Sequence, residues 1–78
     1  MRLLKIEYDA EFCDLYVGNQ TYQSIGGQLF CDMTDINGKE EEVYMVLGSG
    51  LGNSLKDSFS QYHYISPCKI TSIAIEEV

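Results

Sequence analysis

The sequence predicts a mainly β domain, small α+β in class: about six short antiparallel strands in a meander, curled into a small barrel or sandwich, with one short helix before the last strand. Three observations predict it. Apolar and polar residues alternate with period two over residues 2–9 and 12–17. Two dipeptides, Gly18-Asn19 and Asn37-Gly38, lie between strand-like runs and carry hairpin-turn chemistry. Helical spacing stands out in one place, at Leu51, Leu55, Phe59 and Tyr62.

The first strand, 2–9, sets Leu4, Ile6 and Tyr8 on one face and Lys5, Glu7 and Asp9 on the other. Ala10-Glu11 makes a tight connection to the second strand, 12–17, which carries Cys13, Leu15 and Val17 on its apolar face. Glycine at the first position of Gly18-Asn19 suits a type II′ turn. The return strand then runs over 20–25, with Leu15 opposite Tyr22 and Phe12 opposite Ile25. Gly26-Gly27 ends it with a turn or a bulge.

Asn-Gly is the strongest short-range hairpin signal, so residues 28–36 and 39–47 are expected to pair around Asn37-Gly38. That register sets Asp35 opposite Glu40, Asp32 opposite Val43 and Leu29 opposite Val46. The base of this hairpin is apolar on both faces and belongs in the body. Its outer half is acidic on both faces and is expected to project into water. Helical spacing follows, with Asn53 or Ser54 as N-cap and Asp57 completing a weak capping box. Tyr64-Ile65-Ser66-Pro67 is extended, because a residue before proline avoids the helical region. The last strand, 68–75, is apolar on both sides, with Ile73 and Ile75 on one face and Ile70 and Ala74 on the other.

Seventy-eight residues amount to a single domain, 1–78, with 45% hydrophobic residues for a small core. No apolar run approaches the ~18 residues of a membrane span. Glu7 and Asp9 interrupt the N-terminal segment before a signal-peptide core forms. These features predict a soluble cytoplasmic protein. Three cysteines, Cys13, Cys31 and Cys68, are an odd set without metal-type spacing. With His63 they make a poor zinc site, and they read as buried thiols. No metal and no cofactor is expected.

The net charge of −7 disfavours direct contact with nucleic acid or anionic membrane and favours basic partners. No Ser-His-Asp arrangement, isolated carboxylate pair or nucleophile signature is legible, so the chain is not read as an enzyme. The acids Asp32, Asp35, Glu40, Glu41 and Glu42 on the expected hairpin, with Glu7 and Asp9 on the first strand and Tyr44 as an aromatic contact, are the candidate partner-binding residues. Glu11 and Asp14 could extend that acidic face. The function expected is that of a small acidic binding protein, a nucleic-acid mimic. It would occupy a basic surface of a nucleic-acid-binding protein, as an inhibitor of the phage or mobile-element type would. Open sheet edges or an exposed tyrosine face, as around Tyr62-His63-Tyr64, leave room for a homodimer. A structural subunit of a larger assembly is a further alternative.

A second class of function rests on Gly48, Gly50, Gly52, Asn53 and Ser54. A glycine-rich loop leading into a helix can cradle phosphate, which would make the chain a phosphate- or nucleotide-binding module. Gly50-Leu51-Gly52-Asn53-Ser54 resembles the glycine-rich phosphate loop of the GHMP small-molecule kinases. Asn53 stands where that family usually has serine, no proline precedes the loop, and those kinases are far longer chains. A flexible connector accounts for the same glycines.

Overall fold

The computed structural model describes residues 1–48, 52–55, 63–64 and 69–78. The chain is mostly β. Six strands form two antiparallel sheets of three, and a short strand adds a fourth to each. The long strands are β1 (Arg2–Tyr8), β2 (Phe12–Val17), β3 (Gln20–Ile25), β4 (Gln28–Asp32), β5 (Val43–Leu47) and β8 (Ile70–Glu77). The short ones are β6 (Gly52–Ser54) and β7 (His63–Tyr64). The strand orders are β4-β1-β8-β7 and β3-β2-β5-β6, so the sheets are not closed into a barrel.

Period-two alternation explains why both sheets have one dry face. Leu4, Ile6 and Tyr8 of β1 are buried, as are Leu29 and Cys31 of β4. Cys13, Leu15 and Val17 of β2 and Val43, Met45 and Leu47 of β5 meet them from the other sheet in a single core. The β2–β3 hairpin has the register its turn dictates, with Leu15 opposite Tyr22 and Phe12 opposite Ile25. Gly18 has φ of +59° and Asn19 does not have a positive φ, the combination of a type II′ turn.

The meander order is corrected by the structure. β1 pairs with β4 and β8, whereas β2 pairs with β3 and β5. The chain changes sheet between β1 and β2, between β3 and β4, and again between β4 and β5. At the second crossing, Gly27 has φ of +90°, and a Cβ there would lie 3.2 Å from the Tyr8 carbonyl oxygen. The Tyr8 amide donates to the Gly27 carbonyl at 3.0 Å, so the backbones meet closely where the positive φ and the tight space favour glycine.

The hairpin around Asn37-Gly38 does not form. β4 and β5 lie in different sheets, and residues 33–42 arch between them. Met33–Asp35 and Glu40–Glu42 are 3-10 turns, and Gly38 has φ of +84°. The physical reason is Met33 and Ile36, which are buried among the acids. A two-stranded ribbon projecting into water would have exposed both, whereas the arch returns them to the core.

The helix expected from Leu51 to Tyr62 is corrected at its start: Gly52–Ser54 is strand β6, paired with Tyr44, Met45 and Val46. Leu55 is buried just after it. The remainder of that helix, Gly50, and the Ile65-Ser66-Pro67 segment lie outside the described residues. In β8 the faces are also corrected, since Ile70 and Ile73 are both buried. Glu7 faces Ser72 while Tyr8 faces Ile70, so Thr71 is an extra residue, a bulge that turns Ile70 back to the core.

Candidate docking surface

The arch between β4 and β5 is built from local hydrogen bonds around two buried anchors. Asp32 Oδ1 accepts from the Thr34 amide at 2.9 Å and caps the first 3-10 turn. That contact holds the Asp32 carboxyl below the usual carboxylate range. The Ile36 and Asn37 amides donate to the Met33 carbonyl at 3.0 and 2.9 Å. The Lys39 amide donates to Ile36 and the Glu42 amide to Lys39, which winds the second turn. Glu40 Oε1 accepts from the Gly38 amide at 3.1 Å.

The arch packs on the tip of the β2–β3 hairpin. The Gly18 amide donates to the Glu42 carbonyl at 3.2 Å. The Tyr22 hydroxyl donates to Asp35 Oδ2 at 2.7 Å, and Gln20 Oε1 lies 3.1 Å from it. The bond to Asp35, with partial burial second, pushes the Tyr22 phenol well above its ordinary value. Asp35 is therefore held in one orientation by a neutral partner.

The result is an acidic end of the sandwich. Asp32, Asp35, Glu40, Glu41 and Glu42 lie on one arch. Tyr44, two residues beyond Glu42 and 48% exposed, stands on the outer face of β5 opposite Tyr16, which is 38% exposed. The five acids thus lie on the arch or cap its start, and Tyr44 follows its end on β5. Glu7 and Asp9 do not. Glu7 lies on the outer face of β1, level with Gln28 and Ser72 and 3.8 Å from Lys5 Nζ. Asp9 lies beyond the end of β1, where its amide donates to the Lys69 carbonyl.

Sequence reasoning missed three residues at the acidic end. Glu76 and Glu77 are brought there by the β1–β8 ladder, which sets Glu76 beside Leu3 on one side while Asp32 takes the other. Only strand order reveals this. Arg2 pairs with Glu77 at 3.4 Å, and Lys5 with Glu76 at 3.6 Å; both are solvent-facing contacts of small worth. The third is Tyr16, whose outward place in β2 was legible from alternation but whose neighbour, Tyr44, was not.

Of the glycine stretch, Gly48 and Gly52–Ser54 are among the described residues. Gly48 has φ of +58° and its amide donates to the Phe12 carbonyl at 2.9 Å. Gly52, Asn53 and Ser54 are in the β6 ladder, and Gly50 lies outside the described residues. Cys13 and Cys31 are buried thiols, each pushed up to about 11, chiefly by burial. Cys68 lies outside the described residues. No helix among the described residues is long and apolar enough to cross a membrane.

Comparison of the chain with protein-family models, with curated proteins and with solved structures finds no match.

Proposed function

We propose that this chain is a non-enzymatic binding protein that docks through its acidic end on a basic protein surface, where it competes with nucleic acid. The observation that carries this reading is the arch itself: four carboxylates on two 3-10 turns and a fifth, Asp32, capping the first, anchored by buried Met33 and Ile36 and followed by Tyr44, with Tyr16 opposite it. Carboxylates on a fixed backbone present charge to lysine and arginine side chains with little ordering cost, and the tyrosines add apolar contact beside them. An inhibitor of a nucleic-acid-binding protein would use such a surface by occupying the side chains that hold phosphates.

The test is capture from an extract of the native cell by the immobilised protein, with release by DNA or by salt. The variant carrying Glu40→Lys, Glu41→Lys and Glu42→Lys reverses three charges and brings the net charge from −7 to about −1. It should retain nothing that DNA releases. Reversing Glu7, Asp9 and Glu11 gives the same net charge on the other surfaces and should leave capture intact. Equal retention by the arch variant at low salt overturns the proposal.

A further inference from the structure

We propose that β3 is a self-association edge: β3 of one copy pairs antiparallel with β3 of a second copy, joining two sheets into one. β3 ends its sheet. In a two-residue hairpin the residues flanking the turn form a hydrogen-bonded pair, so Gln20, Tyr22 and Ser24 direct their backbone groups to β2. Thr21, Gln23 and Ile25 direct theirs outward, and among the described residues no backbone partner meets them.

Edges of soluble sheets are normally blunted by shortness, charge, proline or a bulge. The other edges of this molecule follow that rule: β6 has three residues, β7 has two, and β4 ends in Asp32. β3 has six residues, none charged and none proline, in unbroken register with β2. The chain has no charged side chain between Asp14 and Asp32, although its net charge is −7. Two copies repel over most of their surfaces, and the β3 strand, which carries no charge of its own, is where they approach at the least cost. This charge distribution favours a second copy over a basic peptide as the occupant.

The geometry is self-complementary about a two-fold axis at Gln23. Gln23 faces Gln23 of the second copy, and Thr21 faces its Ile25. Each facing pair exchanges two backbone bonds, about six in all. On the outer face, Ile25 is 86% exposed and borders an open hollow of about 280 Å³ with Phe12, Asp14 and Gln23. Across the seam, Ile25 of the second copy stands beside Thr21, whose own neighbour is Tyr16. The most exposed isoleucine among the described residues is thereby covered.

Two measurements on the full chain test this. Sedimentation equilibrium over a concentration series should show a monomer–dimer equilibrium. Residue-resolved amide exchange should show Thr21, Gln23 and Ile25 slowing at least about tenfold as the dimer fills, while Gln20, Tyr22 and Ser24 stay protected throughout. Gln23→Pro removes an outward amide that β2 does not use, and should leave a folded monomer. Should that variant fail to fold, Gln23→Glu, which sets two carboxylates face to face at the axis, decides in its place and should weaken association more than about tenfold. A chain that stays monomeric at its highest soluble concentration overturns the proposal. So does a dimer that survives the folded variant or leaves the three outward amides unprotected.

Discussion

Replacing Ile36 with alanine separates the arch from the projecting hairpin that the Asn-Gly signal suggests. Ile36 is 0% exposed and sits in the core cluster with Met33 and Val43. The substitution deletes about three carbons, worth about 2–3 kcal/mol by transfer alone at ~0.8 kcal/mol each. The cavity left behind raises the loss to about 3–4 kcal/mol. A 78-residue domain has a total stability of about 4–12 kcal/mol, so this is a large share of it. At roughly 4–8 °C per kcal/mol for a domain of this size, the midpoint should fall by about 12–30 °C. The assay is urea unfolding followed by circular dichroism, with thermal melts in parallel. Thr34→Ala, an exposed change on the same arch, is the control and should stay within about 0.5 kcal/mol. An Ile36→Ala loss below about 1 kcal/mol would refute the burial argument, because a side chain on a solvated hairpin tip costs that little to remove.

Two further predictions concern titration and reactivity. The Tyr22 phenol titrates higher in the folded chain than its ordinary value near 10, first because it donates to Asp35. Its contribution is fully present below that ordinary value and is lost as pH rises above it, when the unfolded tyrosine ionises first. Urea midpoints between pH 8 and 11 should therefore decline less steeply for Tyr22→Phe than for the wild type. Parallel curves would remove Asp35 as the partner. Cys13 and Cys31 are buried and titrate near 11, so native protein should resist iodoacetamide at both positions. Site-resolved mass spectrometry should find both modified only after denaturation, and rapid labelling of either in the folded chain would contradict the core described here.

Much of the fold was legible because its information is local. The alternation of Leu4, Ile6 and Tyr8, and of Cys13, Leu15 and Val17, requires only that one side of a strand be dry. The type II′ turn at Gly18-Asn19 and the register it imposes follow from the few residues flanking it. The acidity that defines the candidate docking surface, and the choice of Asp32, Asp35 and Glu40–Glu42 within it, likewise needed no partner strand.

Local rules failed where two elements competed for the same residues. Asn37-Gly38 carries real turn chemistry, and Gly38 does adopt a positive φ, yet the dipeptide does not decide which strands pair. Met33 and Ile36 gain more by entering the core than a solvated ribbon would gain from ladder bonds that water can replace. The same competition makes Gly52–Ser54 a strand: β5 offers it an edge, an option that helical spacing around Leu51 and Leu55 does not register. Ile70 joins Ile73 in the core because one extra residue against β1 reverses the alternation.

By itself the sequence determined the dry faces of β1 and β2, where the sharp turns lie, and that the surface would be acidic. Tertiary structure alone decided that β1 separates β4 from β8, that the arch crosses between sheets, that Glu76 and Glu77 join its end while Glu7 and Asp9 do not, and that β3 is left open. The physical reason is range. Alternation and turn chemistry act over two to four residues, whereas strand order is set by which dry faces close one common core, a sum over contacts between segments far apart in the chain.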